Sequence, residues 1–329
     1  MERNWRLDNA RAVLIVLVVL GHMTRWTHFP GADFLYRMIY SFHMPAFALL
    51  SGLCWKGIDK GRVLTRLGWP YVIFQTLYLL FDRLGPLTYN WKPEPWTYTK
   101  PYWLLWYLMA LMAWNVLAAV MPEGKRAGIA VLAGSVIVAL LAGVDPGLDY
   151  YLSLSRTLVL FPFFWGGVWL QRYGRPIPAA RWHKLAAAGI FLLCAGGIFL
   201  LGDRVNVKWM YHSFPYLEAG YTPLIRLGLL ALAAVLIPCL LTLMPDRRVD
   251  VMTYLGQNTM SVFLLHGFVV RGFGWLGAFR DVAWPWFLLP ILATLLALLL
   301  ASPPVVRVMR PLMRWPFEKK KTAVTQNQV

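Results

Sequence analysis

The sequence predicts an all-α fold, a polytopic transmembrane helix bundle of about ten spans. Three observations lead there. Of 329 residues, 59% are hydrophobic and only 14% are charged, whereas a soluble domain carries about 25% charge. Mean hydropathy is +0.53. Apolar runs of membrane length recur along the chain with basic residues between them, the pattern left by positive loops on one side of a membrane. The net charge of +17 is therefore spread over many connections. That excludes the single basic patch of a nucleic-acid-binding protein.

The spans are expected at about 10–27, 34–54, 68–85, 102–121, 127–144, 155–172, 184–201, 222–244, 252–271 and 283–302. Each is close to the ~20 residues that a tilted helix needs. An even number puts both termini on one side. Alternation gives that side 21 of the 32 Lys and Arg residues and the other side 11. The bias predicts cytoplasmic termini and a multi-pass protein of the plasma (bacterial inner) membrane, in contact with its lipids. Residues 1–316 read as one membrane domain, and 317–329 as a basic, disordered cytoplasmic tail. Arg3 and Arg6 before an apolar stretch imitate a signal peptide, but no small-x-small site follows, so the first span is expected to be retained. Cys54, Cys194 and Cys239 are widely spaced, a pattern of neither a disulfide framework nor a zinc site. No metal is expected.

The first span carries the strongest chemical signal. It reads Arg11-Ala-Val-Leu-Ile-Val-Leu-Val-Val-Leu-Gly-His22. Eleven steps of 100° bring His22 within roughly 20° of the Arg11 face and about 16 Å along the axis. An imidazole at that depth is costly, and such a group is a functional candidate by default. The plainer reading is a histidine hydrogen-bonded within the bundle. Arg11 on the same face, with Asp8 one turn earlier, favours chemistry.

The second span contains Phe42-His43-Met44-Pro45 and Ser51-Gly52. Pro45 implies a kink, Ser51-Gly52 a close helix approach, and His43 a place in the same cavity as His22. Lys60, Arg62 and Arg66 precede the third span. They read either as positive-inside bias or as a grip for phosphate, with Arg62 and Arg66 on one helix face. Pro70 is expected to begin or kink the next helix. The outer connections Pro86–Pro101 and Gly202–Tyr221 are rich in aromatics (Tyr89, Trp91, Trp96, Tyr98, Trp209, Tyr211, Tyr216) and include His212 and Glu218. They suit a headgroup belt or a sugar-stacking surface. Late in the chain, Asn258, Ser261 and His266 read as interhelical hydrogen bonding or as cavity lining.

Together these residues resemble the membrane acyltransferase-3 family, closest to its fucose 4-O-acetylase-like branch. The resemblance rests on Asp8-x-x-Arg11 with His22, Phe42-His43-Met44-Pro45 with Ser51-Gly52, and Arg62/Arg66 before Pro70. Trp103-Leu-Leu-Trp106-Tyr107-Leu108 and Leu255-Gly256-Gln257-Asn258 through His266 also fit. It covers roughly 5–305 and is most specific in the first seventy residues. The family often reads Arg-x-x-Arg where this chain has three residues between Arg62 and Arg66. The resemblance implies transfer of an acetyl or other short acyl group from acyl-CoA, a substrate rather than a bound cofactor, to a hydroxyl of an envelope carbohydrate or glycolipid. It implies His22 as the catalytic histidine with Arg11 as its partner, and Lys60, Arg62 and Arg66 at the CoA phosphates. Asp8, His43, Ser51, Trp106, Asn258 and His266 are the candidate cavity residues. His22 then acts as a base or carries the acyl group itself. The rival readings are a proton-coupled transporter and a structural membrane protein.

Overall fold

The computed structural model describes residues 4–27, 31–88, 91–148, 151–174, 177–178, 180–278 and 287–315. Tyr89, Arg175 and the tail from 317 lie outside the described residues. Among the described residues every regular element is a helix and no strand occurs.

Helix α1 (Trp5–Thr24) runs through the middle of the bundle. From Ala12 to Gly21 it is apolar all round, which suits a helix surrounded by others. Two-thirds of its span is buried (67%), and Ala10, Leu14, Ile15 and Val19 are covered completely or nearly so. The remaining helices follow in order: α2 (Ala32–Tyr40), α3 (His43–Leu53), α4 (Trp69–Asp82), α5 (Trp106–Val120), α6 (Lys125–Leu141), α7 (Leu154–Tyr173), α8 (Arg181–Leu201), α9 (Pro223–Leu243), α10 (Asp250–Gln257), α11 (Thr259–Trp275), α12 (Leu288–Leu300) and α13 (Pro303–Met313). Around α1 pack α2 and α3 from one side and α10, α11 and α12 from the other. Helix α8 is the opposite of α1. Only 11% of its span is buried, and Leu192, Leu193 and Leu200 face outward.

Among the described residues, four helices are long and apolar enough to cross a membrane: Trp5–Thr24, Trp103–Val120, Arg181–Arg204 and Pro223–Leu243. The α12–α13 pair makes a fifth only if its 61° bend belongs to one span. The expected count of about ten spans is not confirmed by these helices. The stretch 34–54 is split at Ser41-Phe42 between α2 and α3, and 252–271 is split at Asn258 between α10 and α11. Helix α4 has 14 residues, and α6 and α11 have 17 each.

The kink expected at Pro45 lies upstream of it. Pro45 sits in the first turn of α3, where its missing N–H costs no hydrogen bond. The reversal is capped instead by Ser41, whose Oγ donates to Met38 O at 2.8 Å, and by His43, whose Nδ1 is 2.7 Å from Ile39 O. Pro70 opens α4 as expected. Before it, Leu64–Gly68 forms a π turn in which Trp69 N–H reaches Leu64 O. The wider turn relieves the clash a proline imposes on the carbonyl four residues back.

Gly52 permits the close approach its sequence setting predicts. A Cβ there would collide with the Phe164 carbonyl of α7, and one on Gly167 would collide with the Leu49 carbonyl of α3. These reciprocal glycines let the two backbones touch.

Buried polar groups fix the aromatic-rich connections at 91–101 and 202–221. Gln75 donates from Nε2 to Thr97 O (2.8 Å) and Lys100 O (3.0 Å), and its Oε1 accepts from Tyr102 N–H (2.8 Å). Asp82 accepts from Trp91 Nε1 (2.9 Å) and Glu94 N–H (2.7 Å) and from the Tyr102 hydroxyl. The second connection is held by Arg226, fully buried on α9. Its guanidinium donates to Ala139 O and Phe214 O and to the Tyr221 hydroxyl, and stacks 4.5 Å from the Tyr216 ring. Trp209 stacks on Tyr221. Trp91, Trp209 and Tyr216 therefore serve packing first.

Candidate active site

His22 lies in the last turn of α1, facing α11. Its Nδ1 is 2.8 Å from His266 Nε2, and the two rings are within 6° of parallel. His266 Nδ1 is in turn 2.9 Å from Val262 O, one turn back on α11. A carbonyl only accepts, so His266 Nδ1 carries a proton. In a neutral His266, Nε2 then holds a lone pair and must receive the His22 Nδ1 proton. A neutral His22 is left with an unprotonated Nε2. This is the tautomer required of a base or nucleophile, and it is set two residues away by a main-chain carbonyl. The Trp103 ring, 4.6 Å from the His22 ring, covers it from another side.

His22 lines a cavity of about 430 Å³. Helices α1, α2, α3, α7 and α11 contribute to its wall, together with residues 94–106 and 210–212 from the two connections that Gln75, Asp82 and Arg226 hold in place. Of the candidate site residues, His22, His43 and Trp106 line it, as do Trp103, Tyr211 and His212 from the other segments noted in the sequence. His266 stands behind His22.

Asp8, Ser51 and Asn258, expected in the lining, are elsewhere. Asp8 is fourteen residues before His22, roughly 21 Å away along the helix. It accepts from Arg11 Nη1 at 3.1 Å and from Gln257 Nε2 at 3.3 Å. Ser51 Oγ is 2.9 Å from the Tyr107 hydroxyl, tying α3 to α5. Asn258 Nδ2 donates to Tyr254 O at the α10–α11 break.

Arg11 also lies off the cavity. Its second contact is Nη2 to Cys54 Sγ at 2.6 Å, so Asp8, Arg11, Cys54 and Gln257 form a cluster at the far end of α1. Arg66 is exposed within the π turn, and the side chains of Lys60 and Arg62 lie outside what is described. Arg11 and the histidine pair thus lie at opposite ends of the first helix.

The cavity also holds residues that the spacing did not single out. Arg156 donates from Nε to Tyr211 O (3.0 Å) and from Nη2 to Ser213 Oγ (3.3 Å), with its guanidinium 5.1 Å from the Trp106 ring. Arg271 donates to the Tyr102 hydroxyl and lies 4.5 Å from the Trp91 ring and 5.1 Å from that of Trp103. Tyr36 stacks on Tyr40 at 4.0 Å and shares a hydroxyl–hydroxyl bond with Tyr211. Arg156 and Arg271 each stand within two residues of a span edge, where arginine reads as an interfacial anchor. The one available signal was that each shares its span with polar neighbours. His212, in the second outer connection, also lines the cavity. Burial, and then Arg226 and Arg156, push its pKa down to about 3.

A family model described as an acyltransferase domain matches residues 4–304. Nodulation protein NolL of Mesorhizobium japonicum is 23% identical over 303 residues, which is 82% of this chain and 77% of that protein. No solved structure matches. The matched stretch takes in α1 through α12 and all the cavity walls: the chain belongs to the acyltransferase-3 family and is a membrane acyltransferase.

Proposed function

We propose that the protein moves a short acyl group, acetyl in the simplest case, from acyl-CoA to a hydroxyl of a carbohydrate or glycolipid outside the cytoplasm. His22 is the general base. The supporting observation is the chain Val262 O, His266, His22, which leaves His22 Nε2 unprotonated beside the cavity. Nε2 takes the proton from the acceptor hydroxyl as its oxygen attacks the thioester carbonyl. The carbon–sulfur bond then breaks, and the leaving thiolate recovers the proton from His22. His266 accepts the Nδ1–H and shares the positive charge of the transient imidazolium. Aromatic walls from Tyr36, Tyr40, Tyr211 and Trp106 suit the apolar faces of a sugar.

In this reading the two connections over the cavity are extracytoplasmic. The termini are cytoplasmic in the plasma (bacterial inner) membrane, and the ten apolar stretches cross it with breaks in several. The CoA phosphates meet Arg11, Lys60, Arg62 and Arg66, and the thioester arm passes along α1 toward Val18, one turn before His22. The transfer is tested by mass spectrometry of envelope glycans and glycolipids from a deletion strain, its parent and a strain carrying His22→Ala. Loss of one acetyl increment in both mutant strains supports the reading. An unchanged profile in the His22→Ala strain contradicts it.

A further inference from the structure

We infer that the acceptor carries an anionic group, a carboxylate or a phosphate, and that Arg156 and Arg271 receive it. This rests on the reading above and specifies its substrate. Four cationic side chains, Arg25, Lys100, Arg156 and Arg271, line the cavity against one carboxylate, Glu94. Asp82 is not among the lining residues: its carboxylate accepts from Trp91, Tyr102 and the Glu94 backbone and pairs with Arg83 Nη1 at 3.9 Å. Among the described residues Arg271 makes no ion pair. It is held by the Tyr102 hydroxyl and by aromatic faces. Aromatic faces attract a guanidinium and fix its orientation without neutralising it, so its remaining N–H donors are left for a ligand. A half-buried cation without a counter-charge is costly, and a bidentate anion is what a guanidinium fork fits.

An independent mark is His212. It is 4% exposed, lines the same cavity, and its Nδ1 has no hydrogen-bond partner among the described residues. Its backbone is in the left-handed region at φ 55°, while its carbonyl is taken by Ser155 Oγ at 2.8 Å. That nitrogen is itself covered, so His212 marks an unmet polar group in the cavity wall. Cationic side chains from two helices around the cavity that His22 lines, with aromatic faces beside them, describe an acidic or phosphorylated sugar. The reading above assigns the donor elsewhere, with Arg11 at the other end of α1.

The test uses full-length protein in nanodiscs and calorimetric titration. The probes are the matched pairs methyl glucoside and methyl glucuronide, and methyl galactoside and methyl galacturonide, with glucose 1-phosphate and acetyl-CoA. Charge-assisted recognition predicts that at least one anionic probe binds about tenfold more tightly than its neutral partner. Arg271→Gln and Arg156→Gln should each erase that preference and leave acetyl-CoA affinity within about twofold, and Arg271→Lys should keep part of it. Whether a uronide or the phosphate binds better identifies the source of the charge. The inference is overturned if charged and neutral probes bind alike, including if neither binds, or if Arg271→Gln weakens acetyl-CoA as much as the anionic sugar. Acyl transfer to neutral glycosides with no charge preference would remove this inference and leave the transferase reading standing. Charge preference together with full transfer by His22→Gln would do the reverse.

Discussion

His266 Nε2 and His22 Nδ1 are 2.8 Å apart, and the bond has a direction, because His266 Nδ1 is already committed to Val262 O at 2.9 Å. One imidazole thus assigns the tautomer of the other. His266 is a positioning residue in this account, and the consequence is measurable. Glutamine at 266 retains an oxygen that accepts the His22 Nδ1–H; leucine does not. His266→Gln should stay within about tenfold of wild-type kcat, while His266→Leu should lose about 100-fold with KM for acyl-CoA nearly unchanged. Equal losses in both variants would make His266 a packing residue only.

A base leaves no covalent trace. Incubation with labelled acetyl-CoA and no acceptor should yield no acetylated peptide containing His22, and rapid-quench kinetics should show no burst of free CoA. An acetyl-histidine that forms and decays at the turnover rate would replace the one-step route with a two-step one.

The Gly52–Gly167 crossing sets the distance between α3 and α7, and through α3 the place of His43. Alanine at either position meets backbone rather than a flexible side chain. Overpacking of this kind costs about 1–3 kcal/mol. Gly167→Ala should therefore lower the melting temperature of the detergent-purified protein by several degrees, whereas alanine at Gly189, which has open space around it, should leave it unchanged.

His212 gives stability a pH dependence. Its pKa is about 3 in the folded protein, through burial and then Arg226 and Arg156, against about 6.5 in an unfolded chain. As pH falls below 6.5 the unfolded chain takes up a proton that the folded one refuses. Stability is then lost progressively from pH 6.5 toward 3 and is unaffected above 6.5. Melting temperatures between pH 7.5 and 5 should fall less steeply in His212→Asn, since asparagine tolerates the left-handed backbone. Parallel curves for the two proteins would remove His212 as the cause.

Sequence periodicity found His22 because a single polar side chain interrupts a long apolar run. The same contrast drew attention to Pro45 and to Ser51-Gly52. It placed the helix break wrongly, since the break depends on Ser41 and His43 capping a reversal, and no apolar period encodes that. Helices shortened or split by caps likewise look continuous in hydropathy, which is why the apolar stretches outnumber the long helices. His266 was visible as a candidate but not as the partner of His22, because 244 residues separate them in the chain. Arg156 and Arg271 were hidden by position. At the edge of an apolar stretch an arginine facing lipid headgroups and one facing a cavity have the same sequence context, and only the fold of the two outer connections separates them. Asp8 lies within about 40° of the His22 face but is off the cavity, because fourteen residues of rise separate the two along α1.

The account stands or falls on transfer by the His22 variants. Purified wild-type protein and His22→Gln in nanodiscs, given labelled acetyl-CoA and an envelope glycan extract, can be compared for label in the glycan fraction. The prediction is robust labelling by wild type and a loss of at least about 1000-fold in His22→Gln, with both proteins melting within a few degrees of each other. Labelling by a well-folded His22→Gln at the wild-type rate would contradict it.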